Sequence, residues 1–500
     1  MTAPVQPRRI PWLSKSRYTA GLQCLKRLYL ELYEPERATS PGAGQQALFS
    51  AGNSAGILAQ QLYPGGILVD EDYRHHREAT ARTKNLLHDP SVQAIYEAAF
   101  TEDDILIRAD ILVRGVDNSW NLVEVKSSTS VRDNYIDDVA VQLHVLKSAG
   151  LDIRRVSVAH INTLYVYDGV AHAVDQLFSV EDVTILAQER LLDVPGRLSE
   201  MRRALASDSE PHLDIGSHCS RPYSCQFTAY CGRNEPEWPV DQLPGIRSML
   251  TDKLRADGFR SLDALPASIS LNKLQQRVQT AVQSQEPWVA NDLGTVLSTL
   301  AYPVHFIDFE TVSTWLPRWK GTRPYQTFPF QWSDHVLSAD GTLEHAEFLA
   351  KGTDDPRGAF AESLVRQLQG AGTLVVYTGY ERTQLTALRE ALPSLASELD
   401  FVLAIPQFDL HPVVRDGYYH PEFRGSFSLK AVLPVMVPEL AYTDLTIQHG
   451  DVASLQFQQL WDRDLDESAR RQIRADLLAY CERDTLAMVR IVEALRAVAR

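Results

Sequence analysis

Four cysteines constrain this chain more than any other feature. Cys24 stands near the start, and Cys219, Cys225 and Cys231 follow roughly 200 residues later at regular x5 spacing. Five cysteines in 500 residues do not make a disulfide scaffold, so their clustering points to metal in a reducing compartment. Four thiolates satisfy either tetrahedral Zn²⁺ or an iron–sulfur cluster. The x5 spacings are wider than the short C-x2–4-C pairs usual at structural zinc. Bound by all four, either group would tie the chain's start to residue 231 and close residues 1–235 like a clasp. His218, next to Cys219, suits a supporting role better than ligation.

Length implies two to four domains. With 44% hydrophobic and 23% charged residues the composition is globular, which excludes a disordered or coiled-coil chain. The balance of 49 Lys+Arg against 64 Asp+Glu, a formal charge of −15, excludes binding of nucleic acid by bulk charge. It leaves room for an enzyme with a local basic groove. No apolar run reaches the ~18–20 residues of a membrane helix. Met1 to Arg17 lacks the apolar core of a signal peptide, so a soluble, cytoplasmic protein without membrane partners is expected. Three textures follow one another: 1–235, a helical connector over 236–295 punctuated by Pro239, Pro244 and Pro266, and 296–500.

In the first stretch Tyr18–Leu32 reads as one helix. Lys15, Arg17, Lys26 and Arg27 around it make either a solvated face or a nucleic-acid contact. Ile105–Arg114 and Asn121–Ser127 read as strands about an Asp117-Asn118-Ser119 turn, with a helix over Asp138–Lys147 behind them. Glu124 and Lys126, two apart on a strand, share a face, and Asp110 can meet them across the hairpin. Two carboxylates can hold Mg²⁺ or Mn²⁺, and a lysine beside them can orient a water or offset charge. Gln142 on the following helix and Glu97, ahead of the first strand, could complete the site. Exposed hairpins often carry a solvated Glu–Lys pair. Here the neighbours are Ile, Leu and Val, where an unpaired carboxylate would cost several kcal/mol, ~2–7 by transfer.

The last stretch has a fixed order. Strands are expected at Val304–Glu310, Phe328–Leu337 and Thr342–Leu349, then a helix at Gly358–Gln369, a strand at Thr373–Thr378 and a helix at Glu381–Leu392. That order suits an RNase H-like α/β layer. Asp308 and Glu310 alternate on one strand, while Tyr480 and Asp484 lie four apart on a terminal helix. Together they can pool carboxylates for two Mg²⁺, with the tyrosine positioning a water. Asp409 fits a turn or cap, and Gly425–Lys430 and Cys481 fit structural roles.

Residues 1–235 resemble RecB-like PD-(D/E)XK nucleases of the iron–sulfur type, a group that includes the CRISPR-associated adaptation nuclease and the AddB subunit. The likeness rests on the opening Leu13-Ser-Lys-Ser-Arg-Tyr-Thr-Ala-Gly-Leu-Gln-Cys24-Leu-Lys-Arg and on one cysteine before and three after the core. It implies a restriction-endonuclease-like fold, Glu97, Asp110, Glu124, Lys126 and Gln142 as the site, and a [4Fe–4S] cluster ahead of zinc on the four cysteines. Relatives place a metal-binding histidine in an early helix, and Gly52–Gly56 offers none. Residues 296–500 resemble DnaQ-like DEDD exonucleases of the tyrosine subtype. Tyr377-Thr-Gly-Tyr-Glu381 stands at the second motif, with Glu381 where aspartate is usual. The joined arrangement resembles a bacterial family whose C-terminal part is a domain of unknown function. Leu243 to Gln283 looks loosely like helix-hairpin-helix DNA-contacting units. The expectation is a metal-dependent DNA nuclease, exonucleolytic, in DNA repair or foreign-DNA processing. The alternatives are an iron–sulfur nucleic-acid-binding protein with inactive sites, or an RNA exonuclease.

Overall fold

A computed structural model describes residues 12–72 and 74–499. Of the N-terminal stretch read above for a signal peptide, Met1–Pro11 lies outside the described residues. The fold is mixed α/β, and the chain divides into two compact units. One is Met1–Asn234 with Trp315–Tyr325; the other is Glu235–Thr314 with Gln326–Arg500. Among the described residues no helix is long and apolar enough to cross a membrane.

The first unit is built on a sheet of seven strands: β1 (Leu13–Ser14), β2 (Ile67–Leu68), β3 (Ala94–Glu102), β4 (Ile105–Arg114), β5 (Trp120–Lys126), β6 (Ile153–Ile161) and β7 (Phe178–Asp182). They lie in the order β2-β3-β4-β5-β6-β7, with β1 added alongside β4. β3, β4 and β5 form an antiparallel meander, whereas β5 and β6 are parallel. Parallel neighbours need a long crossover, here the helix Asp133–Ser148. Its Ile136, Val139, Ala140 and Leu143 pack in one core with Leu112, Leu122 and Val158 of the sheet. Each of the larger side chains among them contributes about 1.5–3 kcal/mol of apolar burial.

Three expectations need correction in this unit. The helix read over Tyr18–Leu32 is two helices, α1 (Lys15–Gln23) and α2 (Leu25–Tyr33). Cys24 between them is extended (φ −164°, ψ 121°), and its thiol caps α2 by accepting from the Arg27 amide. Glu97 is not ahead of the first strand but inside β3, at a left-handed φ of 55°. The crossover helix, α3, begins at Asp133 rather than Asp138, one turn earlier.

The second unit opens with α4 (Ser248–Ala256) and α5 (Lys273–Ser284), the latter closed by an Asn272–Gln275 capping box. Residues 257–272 separate them, far longer than the ~2–5 of a helical hairpin. The helix-hairpin-helix reading of Leu243–Gln283 is therefore not met. After β8 (Trp288–Val289) come β9 (Val304–Ser313), β10 (Thr327–Leu337), β11 (Leu343–Leu349), α6 (Arg357–Gln367), β12 (Thr373–Val376), α7 (Tyr380–Ala391) and β13 (Gln407–Asp409). The sheet order is β11-β10-β9-β12-β13, antiparallel through β9 and parallel beyond it. Two further helices matter to function: α8 (Leu429–Met436) and the 32-residue α9 (Glu467–Val498). The turn into α8 depends on Gly425, at φ +78°, where an added Cβ would lie 1.7 Å from the Gln242 carbonyl oxygen.

Candidate active sites

In the first unit the register sets the chemistry. β4 pairs with β5 as far as Ile111↔Val123, which brings Asp110 and Glu124 to the point where the ladder ends. The Asp110 carboxylate accepts from the Val125 amide at 2.7 Å. Glu124 is buried and fully engaged: Lys126 Nζ (2.6 Å) and Lys15 Nζ (2.8 Å) bond one oxygen, and Gln142 Nε2 (2.7 Å) bonds the other. Lys126 also donates to Asp138, one turn ahead of Gln142 on α3. Glu97 faces Asp110 across the β3–β4 ladder but makes no ladder pair of its own.

The charges divide sharply. Burial, together with the Glu124 charge, raises Asp110 to about 7. Burial also pushes Glu124 up, but the charges of Lys126 and Lys15 and their bonds outweigh it, leaving Glu124 well below the usual carboxylate range. Burial works against both lysines, yet Asp138 and Glu124 hold them charged, well above the ordinary value. Glu97 is raised by burial. A fully engaged Glu124, a protonatable Asp110 and two fixed cations thus share one site.

Sequence reasoning placed Asp110, Glu124, Lys126 and Gln142 together, and the structure brings them together. It missed Lys15 and Asp138. Lys15, expected on a solvated face or at a nucleic-acid contact, is the first residue of α1, and its Nζ bonds Glu124. Asp138 could have been found from its spacing to Gln142, four residues on along one helix face. A groove of about 780 Å³ runs from Lys15, Lys126 and Asp138 past Arg27 to His218 and Arg221.

At its far end, Cys24, Cys219, Cys225 and Cys231 line one cavity, with His218 on the wall. The two cysteine-bearing segments are laced together there: Gln23 donates to the carbonyls of His218 and Tyr223, both at 2.7 Å, and Lys26 pairs with Glu210 at 3.2 Å. The Cys225 and Cys231 thiols are pushed up by burial, and their cysteine neighbours add to it. Cys481 is far along the chain and buried in the second unit.

In the second unit, ligand atoms of Asp308, Glu310 and Asp484 lie within 4.8 Å of one another. β9 supplies the first two and α9 the third. Burial and mutual repulsion raise Asp308 and Glu310 well above the ordinary range. Asp484 is raised by burial to about 6, against bonds from Tyr442 and Tyr480 that lower it. Tyr480 is buried one turn before Asp484, and the Tyr442 hydroxyl donates to Asp484 Oδ1. Lys430 Nζ lies 5.1 Å from the Tyr480 ring centroid, and its charge acts on all three carboxylates.

Glu381 stands outside that trio. It sits in the first turn of α7, buried, raised to about 7 by burial and then by Asp409, with Oε2 lacking a hydrogen-bond partner among the described residues. Asp409 caps the helix that follows β13 by accepting from the His411 amide, the role read for it. Lys430 and Cys481, read as structural, both reach the trio: the Cys481 thiol is 3.8 Å from Asp308 Oδ2. Lys430 and Tyr442 had no short-range sequence signal, because each comes from a separate loop or helix start.

The family described as Domain of unknown function (DUF2779) matches residues 305–428. That span includes Asp308, Glu310 and Glu381 and stops short of Lys430, Tyr442, Tyr480 and Asp484. A comparison with the curated proteins finds no match to the chain.

Proposed function

We propose that this chain is a cytoplasmic, metal-dependent nuclease that hydrolyses phosphodiester bonds in DNA, in repair or the processing of foreign DNA. On this reading the first unit is a RecB-like PD-(D/E)XK nuclease and the second an RNase H-like, DnaQ-type exonuclease module. The observation that carries the proposal is the convergence of Asp308, Glu310 and Asp484, one half-buried and two buried acids whose mutual repulsion a bound cation would relieve. Meander, helix, strand, helix around β9–β12 supports the fold assignment. In the first unit Asp110 and Glu124 offer a second carboxylate pair of the right kind.

Divalent Mg²⁺ or Mn²⁺ at these carboxylates would polarise the phosphate and acidify an attacking water. The chain's own residues do the rest. Lys126, held between Glu124 and Asp138, keeps a fixed positive charge beside Asp110. Gln142 fixes the second Glu124 oxygen, so the carboxylate cannot rotate away. In the second unit the Tyr480 hydroxyl stands at Asp484, where it can orient a water, and Lys430 offsets negative charge. The groove lined by Arg27 and Arg221 would take the sugar–phosphate backbone.

The four cysteines are the donor set of a [4Fe–4S] cluster. Lining one cavity together, they can hold such a cluster, and zinc on the same thiolates is the alternative.

A second reading, an iron–sulfur nucleic-acid-binding protein, draws on two observations. Lys15 and Lys126 both saturate the same Glu124 oxygen, and Glu381 stands apart from the acidic trio. One assay separates the readings: purified protein with Mg²⁺ or Mn²⁺ on end-labelled single- and double-stranded DNA and RNA. Cleavage of DNA is expected. Trimming of RNA alone would make it an RNA exonuclease, and binding without cleavage would establish the second reading.

A further inference from the structure

We propose that the second unit holds another metal site, separate from the acidic trio: His335, His345 and Glu482 bind one Zn²⁺-class ion. The inference does not depend on nuclease activity. His335 on β10 and His345 on β11 are direct cross-strand partners. Their ring centroids are 4.5 Å apart, and Glu482 of α9 reaches the same spot, so that one ligand atom from each lies within 4.8 Å of the others.

The hydrogen bonds behind the rings choose which nitrogens face the ion. Thr485 Oγ1 takes up Nδ1 of His335 at 2.8 Å, which leaves Nε2. Ser333 Oγ takes up Nε2 of His345 at 2.9 Å, which leaves Nδ1, 3.9 Å from Glu482. The two hydroxyls bond each other at 2.8 Å, so a single relay orients both imidazoles from the rear. Metal-binding histidines are held this way, by a partner on the distal ring nitrogen. Arg490, the cation that would oppose an ion, is itself bonded to Glu493 at 2.7 Å.

Donor type names the ion. Two imidazoles and one carboxylate suit zinc and its neighbours rather than Mg²⁺, which takes oxygen ligands. His335 is buried while His345 and Glu482 keep access to solvent, so an ion can enter and water can fill the fourth position. The consequence is mechanical. β11 is the edge of the sheet, and the ion would pin that edge to α9 two residues from Asp484 and Tyr480.

The test uses the full chain, dialysed against a weak chelator and titrated with Zn²⁺ in competition with a chromophoric chelator. Because cysteine thiolates without a cluster would also take zinc, the reading is the difference between variants. The parent should bind one equivalent more than His345→Ala or Glu482→Gln, and Cys24→Ala should keep that equivalent. With Co²⁺ the same equivalent should show weak ligand-field bands without thiolate charge transfer. Thr485→Val should keep the stoichiometry but weaken affinity by about 10–100-fold. Both ligand replacements are at accessible side chains, so circular dichroism should be unchanged. If His345→Ala and Glu482→Gln bind as many equivalents as the parent, equally tightly, the site does not exist.

Discussion

Replacing Asp110 by Asn should make the metal-free protein more stable and inactive at once. The reasoning starts from the carboxyl itself, raised from 3.8 to about 7 by burial and by Glu124 opposite. Each tenfold in the ionisation equilibrium is worth about 1.4 kcal/mol, so keeping Asp110 charged in the folded chain costs about 4 kcal/mol. Partial solvent access and sharing of the repulsion with Glu124 reduce that to roughly 2–3 kcal/mol. The sign follows from linkage. A folded carboxyl with a raised value holds a proton that the unfolded chain has lost, so stability falls as pH rises from about 4 to 7 and stays low above it. Asn cannot ionise, yet its side-chain oxygen can still accept from Val125. The variant's advantage should therefore vanish near pH 4 and be full at pH 8. Amide hydrogen exchange in β4 and β5, read by mass spectrometry in EDTA, reports the first unit without requiring two-state unfolding of the whole chain. Added Mg²⁺ or Mn²⁺ should protect the parent and not the variant. Exchange in Asp110→Asn no slower than in the parent at pH 8, or undiminished DNA cleavage, would refute the argument.

Lys126→Ala should lower cleavage by about 10²–10⁴-fold, while a 3′-end trimming that survives in it should disappear in Asp308→Ala; end-labelled DNA on a sequencing gel distinguishes the two. Tyr442→Phe removes a bond that lowers Asp484, so the acidic limb of the trimming pH profile should move to higher pH. Anaerobically purified protein should be brown from thiolate-ligated iron, with Cys24→Ala bleached and less stable and Cys481→Ala unchanged in colour. Iron at background level beside stoichiometric zinc would replace the cluster by a zinc site.

Strand positions were legible because alternation and turn residues act over a few neighbours: Ile105–Arg114 and the start of β9 at Val304 fall where the sequence puts them. The same period placed Glu124 with Lys126 and Asp308 with Glu310 on shared faces, and the four cysteines announced themselves by type alone. What the sequence could not reveal was partner choice across long loops. Lys15 meets Glu124 over 109 residues, and Tyr442 and Lys430 approach Asp484 from separate segments, contacts that no local periodicity encodes. The break at Cys24 and the left-handed Glu97 were hidden for a related reason. Local propensity favours an unbroken helix and a regular strand, and only tertiary packing, aiming a thiol at three distant cysteines and a carboxyl at Asp110, outweighs it. Chain chemistry thus determined which groups were available, and the fold alone decided which of them stand within a hydrogen bond of one another.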